Sequence, residues 1–225
     1  PLPPNDPRHA HIRRVLRRGV GDSFDCGLIN AARGKAIVTN DTAAGLRLEF
    51  QWGDKPPSLD PITLLIGLPR PQTARKILRE LTALGVARMH FFQSAKGEPS
   101  YAASSLWGSG EVRRHLIEGA QQAFCTRLPE VAVFPKLGAA IDAAPATNLR
   151  TAMDVYEGNV SVASLPLPDA DATIALGPER GSDAREREIL RQRGFTLAHL
   201  GRRVLRSETA CVAAVAILKA RLGLL

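Results

Sequence analysis

Ile62-Thr63-Leu64-Leu65-Ile66-Gly67-Leu68 has the composition of a buried strand, and a helical pattern of apolar residues follows from Gln72 to Leu84. Gly85 is placed to end that helix, and a second strand is predicted from Ala87 to Phe92. Strands that alternate with helices in this way form parallel sheets. The sequence therefore predicts an α/β domain built on a parallel sheet.

The same alternation continues toward the C-terminus, after a loop rich in Gly, Ser and Pro from Gln93 to Gly110. The further predicted elements are a helix at Glu111 to Phe124, a strand at Val131 to Phe134, a short helix at Leu137 to Ala144, strands at Ala152 to Tyr156 and Ala172 to Leu176, a helix at Asp183 to Arg193, a strand at Phe195 to His199 and a helix at Ser207 to Leu222.

The N-terminal part of the chain has a different pattern. Short apolar stretches at Phe24 to Ile29, Ala36 to Thr39 and Leu46 to Trp52 are separated by Gly, Asn, Asp and Arg, which predicts a β-meander or a small barrel. Gly53 to Pro61 then contains three prolines and no periodicity, as linkers do. We therefore expect a small β-rich domain over residues 1–58 and an α/β domain over residues 59–225.

The chain is strongly basic, with a net charge of +8 and an isoelectric point near 10.0. Each contact with a phosphate releases condensed counterions, so a polyanion such as nucleic acid is the first partner class to consider. A basic surface with no specific partner is the alternative reading of charge alone.

The three cysteines, Cys26, Cys125 and Cys211, lie far apart and form no Cys-x-x-Cys pair, which argues against a disulfide framework and against a zinc knuckle. No apolar run is long enough for a membrane span, and the first residues lack the pattern of a signal peptide. We expect no metal, no membrane association and a cytoplasmic location.

A Gly-Pro turn follows the strand that ends at Leu176, in the order Gly177-Pro178-Glu179-Arg180-Gly181-Ser182-Asp183. Ligands of open α/β sheets bind at the carboxyl ends of strands, where this turn lies. Ser182 or Asp183 is placed to cap the next helix. An ordinary strand-to-helix turn with a solvated Glu179 is the alternative.

A second segment runs His199-Leu200-Gly201-Arg202-Arg203-Val204-Leu205-Arg206-Ser207-Glu208-Thr209-Ala210. It follows a strand, and Ser207 is placed to cap a helix whose first turn contains Glu208. The irregular backbone can bind a purine ring while Val204 and Leu205 cover its faces. Alternatively, Val204 and Leu205 belong to the core and the arginines form a solvated rim.

A third segment, Arg8 to Arg18, is rich in arginine and places Ile12, Val15 and Leu16 at helical spacing. One face of such a helix can pack while the other binds phosphate through planar guanidinium groups. A solvated charged helix is the alternative. His9 and His11 have no carboxylate or cysteine nearby, so they favour a surface or an RNA contact over a metal site.

Taken in this order, these segments resemble the RsmE-type methyltransferases of 16S rRNA, which belong to the SPOUT superfamily. The resemblance spans nearly the whole chain. It rests on these motifs: His11-Ile12-Arg13-Arg14-Val15-Leu16-Arg17, Leu84-Gly85-Val86, Arg127-Leu128-Pro129-Glu130-Val131, Gly177-Pro178-Glu179, and Leu200-Gly201 through Val204-Leu205-Arg206-Ser207-Glu208-Thr209. The last is the most specific of them.

The resemblance implies a C-terminal parallel sheet with a deep trefoil knot, a small PUA-like N-terminal β-barrel, and a homodimer. It also implies an enzyme that methylates N3 of a uridine in 16S rRNA of the small ribosomal subunit, with S-adenosylmethionine as the methyl donor. The implied cofactor-binding residues are Met153, Leu176, Gly177, Pro178, Glu179, Gly181, Leu200, Gly201, Val204 and Leu205.

Arg206 is implied to orient the uracil and to steady negative charge on its carbonyl oxygens. Glu208 is implied to hold that arginine or to accept the N3 proton, and a structural cap is equally open. The implied RNA-binding residues are His11, Arg13, Arg14, Arg17 and Arg127.

The sequence also departs from the family pattern. Arg180 stands where the family has glycine and is expected to narrow the cofactor pocket, and Ser94-Ala95-Lys96 replaces Ser-Glu-Arg. Gln121 and Cys125 are further departures near the expected RNA-facing cleft. These changes leave open a catalytically idle RNA-binding or ribosome-assembly protein, and an enzyme acting on another RNA base or on tRNA. An unknotted nucleotide-binding domain is disfavoured. Such a domain needs several phosphate-binding glycines after its first strand, and here only Gly67 follows that strand.

Overall fold

The computed structural model describes residues 1–108, 110–166 and 171–225, and these divide into two compact units. The first unit comprises Pro1–Ser58 together with Cys125–Arg127. The second comprises Leu59–Phe124 and Leu128–Leu225. Residues 125–127 thus join the first unit, although their place in the chain assigns them to the second domain.

The first unit is built on a three-stranded antiparallel sheet of β1 (Ser23–Gly27), β2 (Arg33–Thr42) and β3 (Gly45–Trp52), in that order. Leu2 pairs with Leu46 near the start of β3, as an isolated bridge. A small core forms from four residues: Leu2, Ile12, Val38 and Leu46. The bounds of β1 and β3 lie within two residues of the predicted ones, and β2 extends three residues further at each end.

The basic N-terminal segment is helical, but the predicted packing face is wrong in part. It consists of helix α1 (Pro7–Ala10) and a π-helical turn over His11–Val15. Ile12 is buried, whereas Val15 and Leu16 are exposed. A π-helical turn contains more residues than an α-helical turn, so residues spaced for one α-helical face no longer share a face.

The second unit contains a seven-stranded sheet in the order β6-β5-β4-β9-β7-β10-β8, with every neighbouring pair parallel. Its strands are β4 (Asp60–Gly67), β5 (Val86–Phe92), β6 (Glu130–Phe134), β7 (Leu149–Met153), β8 (Val160–Ser161), β9 (Ala172–Leu176) and β10 (Thr196–His199). Its helices are α2 (Pro71–Ala83), α3 (Glu111–Gln122), α4 (Leu137–Asp142), α5 (Ala184–Gln192) and α6 (Ser207–Arg221).

Two hydrophobic clusters cover the faces of this sheet. Residues of α2, α3 and α6 share one cluster with alternate residues of β4, and residues of α4 and α5 share the other. Both faces of β4 are therefore buried, which explains why its sequence is continuously apolar rather than alternating. The predicted α/β class is confirmed, with helices on both sides of a parallel sheet.

Three local predictions are corrected. Strand β7 covers residues 149–153 and not 152–156, because the Asp154 side chain binds the amides of Tyr156 and Glu157 and turns the chain there. The short strand β8 was not predicted. Helix α6 has Arg206, not Ser207, at its N-cap, and no side chain caps it. The predicted cap at Asp183 is confirmed, as part of a capping box with Glu186.

Candidate active site

Three neighbouring strands end at one edge of the sheet. In the parallel register Met153 of β7 lies beside Leu176 of β9, and Ala198 of β10 lies beside Met153. The segments that leave these strands therefore start side by side. They line one open cleft at the carboxyl ends of the strands, where open α/β sheets bind their ligands.

All of the residues that the sequence assigned to the cofactor line this cleft. They are Met153, Leu176, Gly177, Pro178, Glu179, Gly181, Leu200, Gly201, Val204 and Leu205. The lining also includes Asp154, Val155, Tyr156, Ser182, Arg203, Ser207 and Ala210, which the sequence analysis did not assign. The structure thus brings together segments from three separate parts of the second unit.

Close backbone packing shapes the turn after β9. A Cβ atom on Gly177 would lie 2.8 Å from the Ser182 amide nitrogen, and one on Gly67 would lie 2.6 Å from the nitrogen of Pro178. Side chains at either position would push the turn away from the strand ends. From sequence, Gly67 was considered only as the single glycine after the first strand of the α/β domain. In the structure its lack of a side chain lets Pro178 of the turn pack against the end of β4.

Glu179 holds the same turn from its other end. Its Oε1 accepts a hydrogen bond of 2.9 Å from the Arg70 amide, at the N-terminus of α2, where no residue of α2 supplies a side-chain cap. The Glu179 carboxylate therefore satisfies a free helix amide and is placed near the positive end of the helix dipole. Glu179 is nevertheless exposed, as the alternative considered from sequence expected, so this contact lies at the surface.

Two of the departures from the family pattern lie at or near this turn. Arg180 is exposed and is not among the residues that line the cleft, so the expectation that it narrows the pocket does not hold in this structure. Lys96 Nζ donates to the Ser182 carbonyl at 3.2 Å, and the Ala95 amide donates to Glu186 Oε1. The substituted loop is thus attached to the end of the turn.

The segment after β10 presents open backbone and exposed apolar groups to the cleft. Gly201 has a φ of +111°, and a Cβ atom placed there would meet nothing within 4 Å. Val204 and Leu205 are 71% and 37% exposed. In the part of the chain that the structure describes, residues 202–205 make no backbone–backbone hydrogen bond. Their amides and carbonyls are available to a ligand.

Arg206 and Glu208 flank the start of α6, but no bond joins them among the described contacts. The Arg206 side chain is exposed, and no hydrogen bond or ion pair is described for it. Glu208 Oε1 instead lies 3.3 Å from Lys76 Nζ of α2. The carboxylate that was expected to hold the arginine is engaged by a different cation.

Cys211, one turn further along α6, is fully buried. Burial raises the pKa of its thiol to about 12, and the nearby charge of Glu208 acts in the same direction. The thiol therefore stays protonated at neutral pH and is not available as a base or nucleophile.

The predicted RNA-binding residues all fall in the first unit: His11, Arg13, Arg14, Arg17 and Arg127. Those from the N-terminal segment are exposed, and Arg13 forms an ion pair with Asp41. Arg127 is half-buried, and its Nε has no hydrogen-bond partner. The neighbouring Thr126 is bonded to the rest of the first unit, because its carbonyl accepts a hydrogen bond of 2.7 Å from the Asn30 amide.

The described residues contain neither a grouped metal site nor a membrane-spanning helix. Within residues 1–108, 110–166 and 171–225, no three His, Cys, Asp or Glu side chains are grouped as a metal site would require. No helix in the same ranges combines the length and apolar character that crossing a bilayer demands.

Comparison with known proteins gives a consistent result. Residues 55–219 match the model of a family described as the RNA methyltransferase domain. The ribosomal RNA small subunit methyltransferase E of Treponema pallidum is 33% identical over 221 residues, which cover 96% of this chain and 83% of that protein. The ribosomal RNA small subunit methyltransferase E 1 of Borreliella burgdorferi is 28% identical over 220 residues, which cover 97% of this chain and 92% of that protein.

Solved structures share the fold at lower identity. A ribosomal RNA small subunit methyltransferase E from Neisseria gonorrhoeae, bound to S-adenosylmethionine, aligns with a TM-score of 0.80 at 22% identity, over 94% of this chain and 88% of that one. A methyltransferase from Legionella pneumophila, also in complex with this cofactor, aligns with a TM-score of 0.78 at 19% identity, over 95% and 88% of the two chains. With the family model and the Treponema relative, these findings establish that the chain belongs to the RNA methyltransferase family that includes ribosomal RNA small subunit methyltransferase E.

Proposed function

We propose that this chain transfers a methyl group from S-adenosylmethionine to N3 of a uridine in 16S rRNA. One observation carries the proposal. The residues assigned to the cofactor from sequence come from three segments of the chain, and all of them line a single cleft at the carboxyl ends of β7, β9 and β10. Such strand ends are where open α/β sheets bind their ligands.

The chemistry of the cleft fits this cofactor. The exposed side chains of Val204 and Leu205 offer apolar surface for a purine, and the unpaired backbone of residues 202–205 offers donors and acceptors for its polar edge. The open space beside Gly201 admits a ligand close to the main chain. Bound here, S-adenosylmethionine supplies an electrophilic methyl group on a sulfonium.

The residues of the chain then have to align the uracil and remove its N3 proton. Arg206, exposed at the N-terminus of α6, donates to the uracil carbonyl oxygens and stabilises the negative charge that develops there. Glu208 is paired with Lys76 and not with Arg206, which argues against Glu208 as the group that holds the arginine and leaves it as the proposed proton acceptor. Substitution of Arg206 and of Glu208 one at a time tests these two proposed roles separately.

The first unit serves as the RNA-binding domain in this proposal, as a small PUA-like β-barrel. Its exposed residues His11, Arg14 and Arg17, with Arg13 and Arg127, supply contacts to phosphates. The net charge of +8 favours association with rRNA or with the small ribosomal subunit. The antiparallel sheet of β1, β2 and β3 forms part of the proposed barrel.

We further propose that the second unit is knotted, with α6 passing under the segment of residues 160–165 that follows β7. In support, Val162 and Leu165 of that segment share a hydrophobic cluster with Leu218, and Arg221 Nη1 donates to the Val162 carbonyl at 3.2 Å. Buried side chains of α6 fill the core, while Val212 remains half-exposed and is available for the homodimer interface of the family. We propose a cytoplasmic location, because the proposed substrate is ribosomal RNA.

The experiment that tests the function is a pair of measurements on the purified protein. Calorimetric titration with S-adenosylmethionine, and separately with S-adenosylhomocysteine, is expected to show micromolar binding. Incubation with small subunits that lack base methylation, followed by mass mapping of nucleosides, is expected to give 3-methyluridine in 16S rRNA. Cofactor binding with a different methylated base would point to another RNA target, and no binding by the folded protein would favour the idle RNA-binding alternative.

A further inference from the structure

A buried ion pair joins the cleft lining to α5 through residues that the sequence analysis did not assign. Arg187 of α5 and Asp154, the first residue after β7, are 8% and 7% exposed. Arg187 Nε donates to Asp154 Oδ2 at 2.6 Å, and Nη2 lies 3.4 Å from Oδ1. This is the two-pronged contact that a planar guanidinium makes with a carboxylate.

The same carboxylate shapes the turn that forms one wall of the cleft. Asp154 Oδ1 accepts hydrogen bonds of 2.8 Å from the Tyr156 amide and 2.9 Å from the Glu157 amide. The Asp154 amide donates to the Ala198 carbonyl at 2.9 Å, so the turn is also bound to β10. Gly158 closes the turn, and a Cβ atom there would lie 2.3 Å from the Asp154 carbonyl oxygen.

Arg187 binds the turn at two further points. Its Nη1 lies 3.1 Å from Glu157 Oε1, and its guanidinium carbon lies 5.8 Å from the centre of the Tyr156 ring, within the range of a cation–π contact. Arg191, one turn later on α5, pairs with the other carboxylate oxygen of Glu157. One helix thus fixes the backbone and both side chains of residues 156 and 157.

The purpose of this arrangement is suggested by the position of Tyr156. The ring is 72% exposed although it lines the cleft, and its Cε2 lies 3.6 Å from where a Cβ atom of Gly181 would be. A large aromatic group is thus held in place yet left uncovered, beside the Gly177–Gly181 turn. Burying a charged pair is costly, so a buried pair whose bonds all act on one turn indicates that the geometry of that turn is needed.

We infer that Tyr156 contacts the bound cofactor as an aromatic wall of the cleft, and that Asp154 and Arg187 are positioning residues that hold this wall in place. The inference rests on the proposed function, because it takes S-adenosylmethionine as the ligand. It adds a binding residue and its support to a site that the sequence analysis assigned to Met153, Leu176, residues of the turn after β9 and the segment after β10.

The test measures affinity by calorimetric titration with S-adenosylmethionine, beside thermal melting of each variant. Tyr156→Ala is expected to weaken binding about tenfold without loss of fold, since the ring is exposed, and Tyr156→Phe is expected to bind within about twofold of the wild type. Arg187→Lys keeps the charge but loses the planar fork, and we expect it to weaken binding about threefold or more. The KM for rRNA is expected to stay unchanged in all three.

The matched control is Arg185→Lys, because Arg185 lies on the same helix and is exposed, and no contact of its side chain is described. It is expected to match the wild type in melting and in affinity. Wild-type affinity in Tyr156→Ala would overturn the contact between Tyr156 and the cofactor. Wild-type affinity in Arg187→Lys, with only a lower melting temperature, would overturn the positioning role of Arg187. A wild-type protein that does not bind S-adenosylmethionine would overturn the proposed function itself, which is a separate result.

Discussion

Glu179 in the turn after β9 caps α2 by accepting a hydrogen bond from the Arg70 amide at 2.9 Å. We therefore expect Glu179→Ala to lower the free energy of unfolding by about 1 kcal/mol, a typical cost of losing an N-terminal cap. Glu179→Gln keeps an acceptor oxygen and should lose less. Denaturant unfolding checks both. Glu188→Ala, at an exposed site on α5, serves as the control, and an equal loss in that variant would contradict the capping role.

Gly201 and Gly194 offer a matched pair of glycines. Both have positive φ, +111° and +77°, and a Cβ atom at either would meet nothing within 4 Å. Replacing each with alanine is expected to cost stability through backbone strain of about 1–2 kcal/mol. Because only Gly201 lines the cleft, only Gly201→Ala should also weaken S-adenosylmethionine binding, about tenfold by calorimetry. Equal affinities in the two variants would exclude a cofactor contact at Gly201.

Arg206 is proposed to act on the uracil and not on the cofactor. Arg206→Ala should therefore lower the single-turnover rate of methyl transfer about 100-fold, the size of effect seen when one donor to a developing oxyanion is removed. Its affinity for S-adenosylmethionine should not change. Arg202→Ala is the control, because Arg202, like Arg206, is exposed and lies outside the cleft lining, but no contact with the uracil is proposed for it. A loss of cofactor affinity in Arg206→Ala would refute the assigned role.

Asp154 should make the free energy of unfolding depend on pH in the acid range. Burial raises the pKa of its carboxyl, but the hydrogen bonds from Arg187 and from the amides of Glu157 and Tyr156 outweigh burial and lower the pKa below its ordinary value. A lowered folded-state pKa contributes stability that is present above the unfolded value of about 3.9 and is lost as the pH falls through the folded value. Unfolding measured from pH 6 to pH 2 should therefore be less pH-dependent in Asp154→Asn, and an unchanged slope would contradict this.

Lys219 secures the C-terminal half of α6. Its Nζ lies 2.8 Å from Asp60 Oδ2 at the start of β4 and donates to the Leu84 carbonyl at 2.7 Å, and the side chain is almost completely buried. Lys219→Met should lower the free energy of unfolding by about 1.5–3 kcal/mol, the range for hydrogen bonds to a charged group. The exposed Lys136 provides the control, since Lys136→Met should change stability by less than about 0.5 kcal/mol.

The sequence by itself determined the local structure and the segments of the cleft. The period of the apolar residues predicted β4, α2, β5, β9 and α6 with small errors at their ends, because that pattern reports which face of each element is buried. It failed at β7, where a side chain and not an apolar pattern ends the strand. The residues that line the cleft after β9 and β10 were assigned through the resemblance to the RsmE-type family, which rests on motifs that are each contiguous in the chain.

Only the tertiary structure decided which distant groups meet. Arg187 and Asp154 are 33 residues apart, Arg70 and Glu179 are 109 apart, and Lys76 and Glu208 are 132 apart. Residues 125–127 likewise belong to the first unit through bonds that no sequence pattern announces. The reason is physical: periodicity and capping act over a few residues, whereas a charged side chain finds its partner only after the sheet has set the order and register of its strands.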